Sequence, residues 1–220
     1  MEAVIIVKRI VMFIVPFILS LSVHEFAHAW MANRLGDPTA KNLKRMTLDP
    51  RSHIDLFGSI IFPLINIIFP SALFFGWGKP VPVNHLNFKD AKKGMLWVSL
   101  AGPVSNVILA IICAVIYRII INTYPIILMV NSGFTILQPL VIFLNIMISI
   151  NVALAFFNMI PVPPLDGSKI LAGVLPDKYT DLIYRYEQFG FFFLMILLIT
   201  GLYRIFAFPA VLFIKILTGV

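Results

Sequence analysis

Residues 24–28 read HEFAH, in which two histidines and a glutamate have the spacing of a zinc-binding helix. On an α-helix His24 and His28 project from one face about one turn apart, so both imidazoles can bind one zinc ion. Glu25 lies next to them on the helical wheel and can act as general base toward a water at the metal. Polar cross-links between membrane helices are the alternative use of such residues. Three ionisable groups in this order favour the metal site.

A catalytic zinc site normally takes three protein ligands, so the chain must supply a third. Asp166 stands apart because it follows a proline-rich stretch in NMIPVPPLDG, residues 158–167. The prolines must end the preceding helix, and the glycine permits a sharp turn. On spacing alone, zinc binding and helix N-capping both remain open for Asp166. The other candidates lie mostly in loops beside lysine or arginine: His53, His85, Glu187 and the remaining aspartates.

The composition is that of a membrane protein, since 60% of the 220 residues are hydrophobic and 12% are charged. Long stretches without charge need lipid, at 56–75, 95–117 and 119–160. We predict an all-α polytopic membrane protein with about five full transmembrane helices, a re-entrant or hairpin segment, and short extended strands near the active site. It forms one membrane-embedded domain over 1–220, with a catalytic core at about 4–175 and additional helices at about 182–217.

The net charge of +7 comes from basic residues scattered through loops, without the dense patch that nucleic-acid binding needs. We therefore expect no nucleic-acid partner and interpret these charges as cytoplasmic topology signals. The one cysteine, Cys113, excludes a disulfide framework and a cysteine-based metal cluster, and it is most simply a small core residue. The N-terminal apolar run resembles a secretory signal, but no clear small-residue cleavage site follows it.

Hydropathy and charge together predict the order of the membrane segments. Helices are expected at about 4–33, 95–118, 135–160, 182–203 and 205–217. Basic residues on both flanks of 56–83 indicate that this segment enters the membrane and returns, broken at Pro63 and Pro70. Its end, GWGKPVPVN at 76–84, is expected to be extended and to face protein or water.

Three motifs in order resemble the site-2 protease family of intramembrane zinc metalloproteases. They are HEFAH at 24–28, GPVSN at 102–106 and NMIPVPPLDG at 158–167. The resemblance implies that His24, His28 and Asp166 bind one Zn²⁺ and that Glu25 is the catalytic base. It also implies that Asn106 and Asn158 contact the substrate backbone or the developing oxyanion. Interhelical hydrogen bonding is the alternative role for each asparagine.

The resemblance implies hydrolysis of a peptide bond in or near a transmembrane segment of a membrane protein substrate. It places the protein in the bilayer. Compact size and the absence of targeting signals predict a prokaryotic plasma membrane, and the basic loops predict that the active site lies toward the cytoplasmic side. The chain looks like a compact subgroup without a PDZ or CBS domain. The substrate segment must unwind to expose its peptide bonds, and we expect KPVPV at 79–83 or PVPP at 161–164 to pair with it by strand addition.

Other functions remain open on the sequence. A membrane zinc carrier would use histidines and carboxylates along its path, and a catalytically silent relative would bind substrates without cleaving them. A protease of the kind that processes prenylated proteins would use a later glutamate as third ligand, and Glu187 is the sole later glutamate.

Overall fold

The computed structural model describes residues 2–68, 76–123 and 137–219, most of which lie in helices. Short turns connect several of them, and a π-helical turn at Leu56–Ile61 leads into the third. The helices, numbered in chain order, are α1 (Glu2–Arg34), α2 (Thr39–Asn42), α3 (Phe62–Ile68), α4 (Ala91–Thr123), α5 (Leu137–Asn158), α6 (Asp166–Val174), α7 (Asp177–Tyr186), α8 (Gly190–Ile199) and α9 (Arg204–Thr218).

Three helices are long and apolar enough to cross a membrane: the Ile10–Arg34 part of α1, α4 and α5. Glu187–Ile199 and α9 pass the same test only together, and they meet at a bend of 70°. The described residues therefore provide three spans, or four if the bent pair counts as one. The predicted number of about five full spans is not confirmed, and parts of the predicted re-entrant segment and outer loop lie outside the described residues.

The α4 helix is the centre of the fold because it packs against α1, α5 and α6. Its small side chains Ala110, Cys113 and Ala114 lie buried against α5 and α9, in contact with residues such as Ile148. In lipid, small residues favour helix association because they let backbones approach closely. Cys113 is thus a core residue, as its sequence context indicates.

The end of α5 determines where Asp166 lies. Proline residues follow Asn158 closely, and α6 then begins at Asp166 itself. A Cβ atom on Gly167 would lie 2.3 Å from the Met159 carbonyl oxygen and 2.4 Å from that of Ile160. Only a glycine allows α6 to start this close to the preceding turn, which brings Asp166 back toward the bundle.

Residues 76–84, here called the strap, have neither helical nor strand structure. The strap is bonded to the rest of the chain near both ends. The Lys79 N–H donates to the His53 carbonyl oxygen at 2.8 Å, and the Asn84 N–H donates to Asp37 Oδ2 at 2.8 Å. The predicted short strands near the active site are not confirmed, because the described part of the chain contains none.

Asp37 fixes the strap to the end of α1. Its fully buried carboxylate also accepts hydrogen bonds from the Thr39 N–H at 3.1 Å and from Asn87 Nδ2 at 2.7 Å. Burial alone would raise the pKa of this carboxyl group, but the hydrogen bonds from Thr39, Asn87 and Asn84 outweigh it and hold the pKa below its usual value. The ionised form therefore stabilises the fold.

Replacing Asp37 with alanine should lower the free energy of unfolding at pH 7 by about 2–4 kcal/mol, because buried donors lose their acceptor. Since the pKa is lower in the folded protein, the wild type loses this advantage as the pH falls below about 4. Unfolding in detergent at pH 7 and pH 3 measures both effects. Asp177→Ala is the control, because that carboxylate is 92% exposed. A constant difference between wild type and Asp37→Ala at both pH values would contradict the prediction.

Candidate metal centre

Three possible ligand atoms converge where α1 meets the start of α6. His24 Nε2 and His28 Nε2 are 3.0 Å apart, and Asp166 Oδ2 lies 3.1 Å from the first and 3.3 Å from the second. Both histidines are buried, and the Asp166 side chain is 13% exposed. The one-turn spacing on α1 gives the two imidazoles their common face. The break after α5 brings the carboxylate to them.

The hydrogen bonds of this cluster fit a metal cation. His28 Nδ1 lies 2.7 Å from the Val98 carbonyl oxygen, which can only accept, so Nδ1 carries the proton and Nε2 offers its lone pair in the neutral ring. Asp166 Oδ2 is buried without a hydrogen-bond partner. Lone pairs this close repel one another unless a cation lies between them. Ligands around a tetrahedral zinc are about 3.3–3.4 Å apart, close to the observed spacings.

Asn106 holds His24 in place. Its Oδ1 atom lies 2.6 Å from His24 Nδ1, while its Nδ2 donates to the Ser20 carbonyl oxygen at 3.1 Å and to Asn151 Oδ1 at 2.8 Å. Asn151 Nδ2 in turn donates to Ser20 Oγ at 2.8 Å. This network joins α1, α4 and α5, and it matches the interhelical role left open by the sequence. Substrate contact by Asn106 stays a prediction, but both of its amide hydrogens are already used here.

Asn158 lies outside this network. Its Nδ2 donates to the Leu154 carbonyl oxygen of its own helix at 3.0 Å, and its side chain is partly exposed. This bond leaves the second amide hydrogen and the carbonyl oxygen for a ligand. A substrate or oxyanion contact for Asn158 stays a prediction that its position allows.

Gly102 lies against both histidine rings. A Cβ atom there would be 2.4 Å from His28 Nε2 and 2.6 Å from His24 Cε1. Any side chain on α4 at this position would therefore enter the space that the ligand atoms share. The glycine of the GPVSN motif is explained by this close approach.

Glu25 lies on α1 beside the ligands and is 8% exposed. Its Oε2 atom accepts a hydrogen bond from the Val81 N–H of the strap at 2.9 Å. The sequence predicted neither this partner nor the Val98 carbonyl, since both are main-chain groups that every residue type offers. The sequence motifs also did not identify Asn151 as part of the site, although a polar residue in an apolar helix indicates a functional or structural role.

The other candidate ligands lie elsewhere. His53 is buried, but its Nε2 is paired with the Thr47 carbonyl oxygen at 2.8 Å. His85 and Glu187 lie in short exposed turns. Among the described residues, the one group of three possible metal ligands is His24, His28 and Asp166, and His53, His85 and Glu187 are not part of it.

Comparison with known proteins agrees with this geometry. The profile of peptidase family M50 matches residues 120–200. "Putative zinc metalloprotease YwhC" of Bacillus subtilis is 35% identical over 189 residues, which cover 86% of this chain and 80% of that protein. "Putative zinc metalloprotease Rip2" of Mycobacterium tuberculosis is 28% identical over 189 residues, and the match covers 85% of this chain but 66% of its own length. No solved structure matches the chain.

The match to the Bacillus protein covers most of both chains. The structure places one histidine pair and one aspartate together as possible ligands, and the related proteins are named as zinc metalloproteases. These findings support a zinc-dependent peptidase. The chain belongs to peptidase family M50, the family of the site-2 proteases.

Proposed function

We propose that this protein is an intramembrane endopeptidase that hydrolyses a peptide bond in or near a transmembrane segment of another membrane protein. The supporting observation is the convergence of His24, His28 and Asp166, next to Glu25, on helices of which one, α1, is long and apolar enough to span a membrane. Ionisable groups in such a helix are costly and mark a functional site. One Zn²⁺ held by His24, His28 and Asp166 is the proposed cofactor.

The chemistry divides between the cofactor and the chain. When bound, zinc polarises the scissile carbonyl and lowers the pKa of water to about 7. Glu25 accepts a proton from the attacking water and delivers it to the nitrogen of the leaving amine as the C–N bond breaks. Asn106 and the Val98 carbonyl keep each imidazole oriented with Nε2 toward the site.

The hydrogen bonds of the strap bear on how a substrate can lie in the site. The Lys79 and Val81 N–H groups are bonded within the chain, and in 161–164 the single N–H, that of Val162, donates to the Ile160 carbonyl oxygen at 2.8 Å. Strand addition along 79–83 or 161–164 would therefore find the Lys79, Val81 and Val162 donors already used. We propose that the unwound substrate segment instead accepts a hydrogen bond from the second Nδ2 hydrogen of Asn158. Water would reach the site from the cytoplasmic side.

A zinc carrier would need a series of ligating groups along its path. Within the described residues one such group of histidines and carboxylates occurs, and it has a general-base candidate beside it. This arrangement favours hydrolysis over transport.

The first test separates zinc binding from catalysis. Glu25→Ala should keep about one zinc per chain and lose activity by about 10²–10⁴-fold, because the proton acceptor is gone. Asp166→Ala should lose both zinc and activity, because a ligand is gone. Elemental analysis of detergent-purified protein and cleavage of a model transmembrane substrate measure the two properties.

The control for this test is Glu187→Gln, which removes the alternative third ligand. It should keep zinc and activity, since Glu187 lies in an exposed turn away from the cluster. Retained zinc in Asp166→Ala, or lost zinc in Glu187→Gln, would show that the ligand set is wrong.

A second test distinguishes the two asparagines. Asn106→Ala should weaken zinc binding by about 10–100-fold, because His24 loses the acceptor that orients it. Asn158→Ala should leave zinc affinity unchanged and lower kcat, because its side chain lies outside the ligand network. Competition with a chelator measures the affinities. Equal zinc affinity in wild type and Asn106→Ala would contradict the orienting role.

The proposed orientation can be tested by labelling introduced cysteines with a membrane-impermeant maleimide, since the native Cys113 is buried. Lys41→Cys, at an exposed position of α2, should react only after the cells are opened, because this basic loop is proposed to be cytoplasmic. Ser132→Cys, in the predicted outer loop, should react in intact cells. The opposite pattern would place the active site toward the other side.

A further inference from the structure

Glu25 is hydrogen-bonded to a main-chain group of the strap, which lies outside the family's three motifs. Glu25 is almost fully buried, and a buried carboxylate needs hydrogen-bond donors to replace the water that it loses. The donor that the structure provides is the main-chain N–H of Val81, which bonds Oε2. This bond leaves Oε1 as the oxygen for proton transfer.

The local sequence isolates this donor. Pro80 and Pro82 flank Val81 and carry no N–H, so the triplet 80–82 has a single amide hydrogen. Residues that precede proline are also held in extended conformations, which here include Lys79 and Val81. The strap is thus a pre-extended segment with one donor at its middle, and that donor meets the proposed base.

The strap is also held in register with α1. Before Val81, the Lys79 N–H is bonded to the His53 carbonyl oxygen at 2.8 Å, and Arg45 donates to the Lys79 carbonyl oxygen at 2.9 Å. After Val81, the Asn84 N–H is bonded to Asp37, which follows α1 closely in the chain. Both anchors lie within three residues of Val81, so the position of its amide relative to Glu25 is fixed from both sides.

We infer that the Val81 amide is a positioning group for catalysis, which holds the Glu25 carboxylate in one orientation so that Oε1 faces the attacking water. This inference rests on the proposed function, since it gives Glu25 the role of base. Losing the amide should leave zinc and substrate binding in place. It should reduce the rate of the chemical step, because small displacements of a catalytic group cost about 10- to 100-fold.

The experiment replaces the amide without changing a side chain. Suppression of an amber codon with α-hydroxyvaline converts the Val81 N–H into an ester oxygen in the full-length protein. The same replacement at Val83 is a matched control, because Val83 also follows a proline, whereas the hydrogen bond to Glu25 comes from the Val81 N–H. Zinc content, kcat and KM are measured for both esters with a model transmembrane substrate.

We expect the Val81 ester to keep its zinc and its KM and to lose about 10- to 100-fold in kcat. The Val83 ester should match the wild type in all three. Equal kcat in the two esters would overturn the inference, as would loss of zinc in the Val81 ester, which would indicate a purely structural role.

A second readout does not depend on activity. Hydrogen exchange of the Val81 amide in purified protein should accelerate at least about tenfold in Glu25→Ala, which removes the acceptor, and stay slow in Glu25→Gln, which keeps one. Unchanged exchange in Glu25→Ala would overturn the inference. If the wild type cleaves no substrate, the proposed function fails, whereas the exchange rates still decide whether Val81 holds Glu25.

Discussion

Three lone-pair atoms face one another within 3.3 Å inside a bundle of apolar helices, and the surrounding polar groups are arranged to allow this. A cation relieves the repulsion among the lone pairs, but only if both imidazoles turn Nε2 toward it. The Val98 carbonyl and Asn106 fix that choice from the far side of each ring. Because Asn106 is itself buried, its amide must be hydrogen-bonded by Asn151 and Ser20, so this candidate metal site depends on a network across three helices.

Close approach of the helices is the second requirement. The α4 helix has to bring Asn106 and Val98 near α1 while leaving room for the ligand atoms, and Gly102 provides that room. Asp166 reaches the site because α5 stops at Asn158 and α6 starts immediately after a turn. The three motifs therefore form one structure. They supply the helix with the candidate histidine ligands, the helix that orients those histidines, and the chain break that brings Asp166 to them.

The sequence predicts some elements of the fold and of the site better than others. Helical periodicity was sufficient to predict that His24 and His28 share one face of a helix. Proline chemistry was sufficient to predict where α5 ends. The 182–217 region was predicted as two spans because it is apolar, yet Gly201 adopts a φ of +74° and the helices on either side are bent by 70°. Hydropathy does not register such a break, because it measures composition and not direction. The partners of Asn106 are likewise not predictable, since pairing between helices depends on their packing.

Proline explains how irregular backbone can lie beside these helices at all. Every unpaired N–H among apolar surroundings costs free energy, so an extended segment there must either pair its donors or lack them. Residues 79–82 and 161–164 contain three N–H groups in eight positions, those of Lys79, Val81 and Val162. Each of the three has a partner. The prolines thus reduce the number of N–H donors that the fold must pair. The donor that remains at the middle of the strap, the Val81 N–H, bonds Glu25.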